Sequence, residues 1–377
     1  MKVFINVFII YLTLNIYAFW RGWKTLANCK NWRTLFVAVF GVEFILYAVG
    51  LIFRNRLPYT FVHFTRTMGT TWILFLFYTI PFVWISDLIF YIRKKKIPSD
   101  RYQPEKEKKY KARFFIFILL LVSAILGWGN YNFNHPVVEE VNIAVNKKAG
   151  NIDSLRIVMV GDVHLGYLID KKYAKKYVDL IMAQQPDLIL FVGDIIDAGI
   201  NPVLQQHMEE ELRQLHAPLG VYSCTGNHEY RYEAEEKIAW LNNIAGIAML
   251  RDSAVLIDSA FYIVGREDYK APQRKPLEQI LREQRVNTAL PIIVLKHNPI
   301  DLNEEVCAGV DIALYGHTHR GQSFPANLIT DLIFEVSHGY KKKGDTHIFV
   351  TSGLGLAGSQ HRIGTQSEIV VLNGKFE

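Results

Sequence analysis

At 377 residues, half of them hydrophobic, with 42 Lys and Arg against 36 Asp and Glu and a formal charge of +6, the chain is too long for one small domain. Much of the positive excess lies in a single connector between apolar runs, so the charge does not mark a nucleic-acid binder. Three cysteines, Cys29, Cys224 and Cys307, contain no C-x-x-C pair, which excludes a disulfide framework.

From the N-terminus, four apolar runs come first: Val3 to Trp20, Thr34 to Phe53, Thr67 to Ile92 and Phe114 to Gly129. A bilayer core takes roughly 17 to 25 apolar residues per helix. Basic, aromatic-flanked connectors join the runs, so residues 1–130 are expected to be an all-α region of about four transmembrane helices rather than buried core. Lys2 before an apolar run also suits a signal peptide, but Ala18 leads straight into Phe19 and Trp20 without a cleavage pattern, and an uncleaved first span is expected. The stretch Arg93 to Arg113 carries ten Lys and Arg residues, the strongest cytoplasmic signal among the short loops. With that loop inside, Arg21, Lys24, Lys30 and Arg33 also fall inside, and Arg54, Arg56 and Arg66 fall outside. The fourth helix then runs outward. The expected protein is a multi-pass cell-membrane protein whose soluble part is extracytoplasmic.

Residues 131–150 read as a linker that opens on the polar stretch Asn130 to Pro136, and residues 151–377 as one domain large enough to bury its own core. Short apolar runs recur there, each ending in a polar cluster: "LRIVMVGDVHLG", "PDLILFVGDIID", "LGVYSCTGNHEY", "PIIVLKHNP", "VDIALYGHTHRGQ" and "HIFVTSGLGLAG". These predict strands, and helical patterns fall between several of them at Lys171 to Gln185, Leu204 to Leu215, Glu233 to Ile244 and Pro276 to Glu283. The alternation implies an α/β layer architecture with largely buried sheets. The basic stretch "GYKKKGD" reads as an exposed hairpin tip. "GREDYK" follows an apolar run and could form one wall of a cleft.

In open α/β sheets, ligands bind beyond the carboxyl ends of the strands. The polar clusters at those ends supply Asp162 and His164, then Asp194 and Asp197, then Asn227 and His228, then His297, then His317 and His319. Oxygen and imidazole donors without thiolate suit Mn, Fe, Zn or a similar divalent ion rather than an all-cysteine structural zinc. One D-x-H pair is ordinarily a cap beside a satisfied histidine; five clusters in the same structural position are a different matter. Were the period of two to run on past the strand, His317 and His319 would project into one spot and share a metal.

With "GDVHLG", "GDIID", "GNHEY", "KHNP" and "GHTHRGQ" standing in this order, the chain from about Leu155 onward resembles the calcineurin-like metallophosphoesterases, and most of all their membrane-associated bacterial subgroup. The resemblance implies a four-layer αββα sandwich of two mixed sheets with helices outside, and two divalent metal ions. It implies that Asp162, His164 and His319 hold the first ion, that Asn227, His297 and His317 hold the second, and that Asp194 bridges them. By that implication His317 and His319 serve different metals. His228 is implied as the catalytic residue, on the leaving-group side, where it orients the phosphate or protonates the departing oxygen. Asp197 is read as orienting a ligand or closing the loop by hydrogen bonding, not as a ligand itself. Arg320 stands where the subgroup usually has glycine, as a phosphate-facing guanidinium or a solvated rim residue.

The expected function is a membrane-anchored, binuclear metal-dependent phosphoesterase that hydrolyses phosphate mono- or diesters through a metal-bridging hydroxide. One rival keeps the chemistry and narrows the substrate to a lipid-linked phosphate; another is a non-catalytic membrane sensor of a phosphorylated ligand. A membrane and a phosphate ester are the expected partners, and no nucleic acid.

Overall fold

The computed structural model describes residues 2–27, 30–53, 56–98, 100–356 and 358–377; Cys29, Arg54 and Ala357 of the "TSGLGLAG" run lie outside them. The N-terminal part is helical throughout, with α1 (Lys2–Thr25), α2 (Lys30–Ile52), α3 (Tyr59–Lys96) and α4 (Pro104–Asn134). Among the described residues three segments are long and apolar enough to cross a membrane, by length and composition: Lys30–Gly50, Tyr59–Lys96 and Pro104–Asn134. Helix α1 covers the remaining expected span. At about 1.5 Å per residue α3 is longer than a bilayer core. Its surplus is polar, for the last turn holds Arg93, Lys94, Lys95 and Lys96. The chain forms two compact units, Met1–Asn130 with Gly358–Gln360, and Tyr131–Ala357 with His361–Glu377.

The second unit contains two six-stranded mixed sheets. The first runs in the order β1 (Val137–Val145), β12 (Glu368–Phe376), β2 (Ser154–Val160), β3 (Leu188–Phe191), β4 (Val221–Ser223) and β5 (Ala248–Met249). All of its neighbours pair in parallel except β12 and β2. The second runs β10 (Gly339–Lys343), β11 (Thr346–Val350), β9 (Ile312–Tyr315), β8 (Ile292–Leu295), β7 (Phe261–Gly265) and β6 (Ser253–Ile257), antiparallel only at its two edges. The six sequence-predicted strands are β2, β3, β4, β8, β9 and β11. Residues 131–150 hold the end of α4 and all of β1, whose nine residues pair with β12.

Successive strand residues point to opposite faces, and here both faces are covered, which is why the runs are apolar without alternation. Ile157, Met159, Leu188 and Leu190 of the first sheet pack with Ile263, Ile293, Leu295 and Leu314 of the second, forming the layer between them. On the outer face of the first sheet, Val158, Val160, Ile189 and Phe191 bury against α5 (Lys171–Met182) and α8 (Ala234–Asn243). On the other side Ile292, Val294 and Ala313 bury against Ile280 and Leu281 of α9 (Leu277–Glu283). The result is the expected αββα sandwich. The short helices α6 (Asn201–Gln205), α7 (Glu209–Leu212) and α10 (Asn303–Cys307) complete the loops, and α11 (Ala326–Ile333) follows the "GHTHRGQ" motif.

Candidate metal centre

The parallel strands β2, β3 and β4 are neighbours in one sheet, and β8 and β9 in the other, so the five motif loops leave the same ends of adjacent strands. The loops hold one another. His164 N donates to Asp194 O at 3.0 Å, Gly316 N to His297 O at 2.9 Å, and His228 N to Asp194 Oδ1 at 2.7 Å. Between the sheets, His317 N lies 3.0 Å from Asp162 Oδ2. Asp162, His164, Asp194, His317 and His319 all have φ between 47° and 72°, the left-handed region, which is sparsely populated except by glycine and a few short polar residues. These turns end the strand geometry and aim the side chains inward. Two glycines make room: a Cβ at Gly226 would lie 2.2 Å from Asp194 Oδ1, and one at Gly316 would lie 2.6 Å from Asp162 Oδ2.

The donors fall into overlapping groups whose ligand atoms lie within 4.8 Å of one another: Asp162, His164 and His319; His164, Asp194 and His228; Asp194, His297 and His317. His164 Nε2 faces His319 Nε2 at 3.1 Å, while His317 Nδ1 faces His297 Nε2 at 3.2 Å. His317 and His319 therefore point into different groups. The sharing suggested by a period of two fails because β9 stops at Tyr315 and neither histidine is extended. Asp194 belongs to two of the groups.

Among the described residues the buried Asn227 Oδ1 has no hydrogen-bond partner, nor have His164 Nδ1 and His319 Nδ1, on the far side of rings whose Nε2 atoms face each other. Leaving such atoms unpaired costs free energy unless something else binds them. His319 and His317 are prepared as ligands. Burial, with His164 and Arg362 nearby, holds His319 well below its usual pKa. Burial and then the His297 charge push His317 down to about 4, so both rings keep lone pairs at neutral pH. His297 donates Nδ1–H to Val192 O at 2.7 Å, which leaves Nε2 to face the site. Burial opposes its protonation, but Asp194, 3.1 Å away, outweighs that and pushes it up to about 10. Burial likewise would raise Asp194, yet His297 holds its carboxylate well below the usual range. Asp162 is pushed up by burial. A compact set of carboxylates, imidazole nitrogens that face one another and an unpaired amide oxygen fits divalent cations.

The remaining predicted residues flank this set. His228 Nδ1 lies 2.9 Å from Asp197 Oδ1 and 2.7 Å from Asp197 O. Asp197 also lies 3.7 Å from His164 Nδ1, and the two imidazoles hold its carboxylate low against its burial. Arg320 is exposed and joins none of the donor groups. "GREDYK" is buried as far as Asp268 and exposed at Tyr269 and Lys270; Asp268 N donates to Thr225 Oγ1 at 3.0 Å, and its Oδ2 has no hydrogen-bond partner among the described residues.

Residues 155–321 match the family model for calcineurin-like phosphoesterases. The chain carries a calcineurin-like metallophosphoesterase domain. It is 28% identical over 379 residues to an uncharacterized metallophosphoesterase of Campylobacter jejuni, covering 98% of this chain and 97% of that one. A transmembrane protein with metallophosphoesterase domain from Danio rerio is 30% identical over 267 residues, covering 67% of this chain and 61% of its own. Uncharacterized metallophosphoesterase YkuE of Bacillus subtilis is 29% identical over 287 residues, covering 71% and 99%.

Sequence reasoning gave no role to two buried residues of the metallophosphoesterase domain. Glu229 lies in the quoted "GNHEY" motif, directly after His228; its carboxylate accepts backbone N–H groups of Asp194 at 2.8 Å, Ile195 at 2.9 Å, Ile196 at 3.1 Å and Gly226 at 2.7 Å. The motif itself was the signal. Arg362, fully buried, donates to the carbonyls of His319 at 3.1 Å, Ser352 at 2.7 Å, Gly353 at 2.9 Å and Gly355 at 2.6 Å. It stands alone in "QHRIG", where nothing local marks it.

Proposed function

We propose that the protein is a membrane-anchored phosphoesterase that uses two divalent ions to hydrolyse phosphate mono- or diesters. The observation that carries this reading is the membership of Asp194 in two donor groups, one with His164 and His228 and the other with His297 and His317, while His164 also belongs to the group of Asp162 and His319. Asp162, His164 and His319 would hold one ion, Asn227, His297 and His317 the other, with Asp194 common to both. Ions held there would polarise the phosphoryl oxygens and bring the pKa of water towards neutrality. Of these seven side chains only Asp162 and Asp194 are anionic, so two dications leave a formal excess of two positive charges, which attracts phosphate.

His228 serves as the proton donor. Its Nδ1 is committed to Asp197, so Nε2 is the nitrogen free to meet the leaving oxygen. Burial disfavours its charged form, but Asp197 and Asp194 outweigh burial and raise its pKa above 6.5. A protonated Nε2 at neutral pH can orient a phosphate oxygen or protonate the departing one. A pure phospholigand sensor has no use for such a donor. Apolar helices support membrane anchoring, and the Lys and Arg bias of the short loops favours an extracytoplasmic catalytic domain.

The test is metal analysis of the full-length protein together with turnover of an aryl phosphate and an aryl phosphodiester. Stoichiometric metal with no turnover of either ester would refute the enzymatic reading; turnover undiminished by complete chelation would refute the metal assignment.

A further inference from the structure

Helix α11 reads "ANLITDLI", which places Leu328, Ile329, Leu332 and Ile333 on one stripe of the 3.6-residue period. A helix on a soluble domain turns such a stripe to the core. Here the polarity is reversed, for none of its eight residues is buried. Leu332 is 87% exposed, Ile333 67%, Ile329 54% and Leu328 51%. The half-buried polar residues Asn327 and Thr330 occupy the opposite side. The helix also borders the candidate centre: Phe334, the first residue beyond it, has its ring 6.3 Å from that of His317. A contiguous outward aliphatic patch of this kind needs a cover.

We infer that α11 is an interfacial helix that seats its aliphatic stripe in the surface of a lipid bilayer. A bilayer is the occupant that the chain itself brings close, because three helices among the described residues are long and apolar enough to cross one. Little chain separates the last of these from the domain. Helix α4 ends at Asn134 and β1 begins at Val137, and Phe133, near the end of α4, is buried in the domain core. So short a tether keeps the effective concentration of bilayer high, and eight residues that would bind weakly alone can then remain seated. The attraction is apolar rather than electrostatic. Lys341 and Lys343, in the basic hairpin that follows, share Glu335 at 3.0 and 2.8 Å, which offsets part of the hairpin's charge. The inference concerns what α11 touches and does not rest on hydrolysis at the metal centre.

The test uses the full-length protein with Cys29→Ser and Cys307→Ser, leaving buried Cys224 in place. A nitroxide is attached at Leu332→Cys or, as a solvent-facing control, at Lys172→Cys, and each protein is reconstituted into vesicles of phosphatidylcholine alone or mixed with phosphatidylglycerol. The label at 332 should collide several times more often with oxygen than with a water-soluble nickel chelate, the label at 172 should do the reverse, and both lipid mixtures should agree. Equal nickel access at the two positions would overturn the inference. So would spin–spin broadening at 332 with low access to both reagents, which means that a second copy covers the stripe. A signal confined to the anionic mixture would overturn the apolar seat.

Discussion

Glu229 Oε2 accepts the backbone N–H of Asp194 at 2.8 Å, so the residue shared by two donor groups is held by a carboxylate that belongs to neither. With four backbone donors gathered on one buried side chain, the left-handed turn at Asp194 gains its support from the "GNHE" loop.

Replacing Glu229 with Gln puts an amide N–H2 where backbone N–H groups point. The loss is expected to be about 2–4 kcal/mol of stability, since charge-assisted hydrogen bonds vanish and buried donors stay unpaired. Thermal unfolding and metal content measured together check this; a variant that melts with the wild type and keeps its metal would contradict the supporting role.

Asp194→Ala and His317→Ala are expected to lower aryl phosphate turnover by at least about 100-fold, together with metal occupancy, because loss of even an outer partner of a ligand commonly costs about 10–100-fold. Circular dichroism guards against unfolding. Undiminished turnover in either folded variant would sink the ligand assignment.

His228→Ala should keep its metal and lose turnover by about 10²–10⁴-fold, the usual contribution of a general acid. The pH dependence carries a sign. Because the pKa of His228 is raised above 6.5, its protonated form persists at neutral pH and is lost as the pH climbs through the raised value. The kcat profile should therefore fall on its alkaline side. Asp197→Asn removes the strongest stabiliser of the charged ring and should move that fall to lower pH; an unmoved profile would argue that His228 is not the titrating group.

Arg362→Met leaves the carbonyls of His319, Ser352, Gly353 and Gly355 without their buried donor. A loss of at least about 3 kcal/mol is expected, as for other broken buried hydrogen-bond networks. The change should be visible in denaturant unfolding and is expected to be only partly restored by Arg362→Lys, whose ammonium lacks the planar fork.

Apolar runs ending in polar clusters announced β2, β3, β4, β8, β9 and β11 and the donors at their ends, because burial of both sheet faces and the break of a strand are written in neighbouring residues. The direction of a side chain beyond the strand was not. His317 and His319 part company through left-handed turns that Gly316, pressed against Asp162, makes room for. Nor could the chain order announce β1 and β12, which pair across more than two hundred residues, or the Arg362 guanidinium that clasps the carbonyl of His319. The outward stripe of α11 is the plainest case. Its spacing is that of any amphipathic helix, and only the folded domain, by taking the polar side, decides that the aliphatic side is left outside. Local periodicity depends on residues a few positions apart, whereas a buried donor, a close approach or an uncovered face depends on whichever distant segment packs against it.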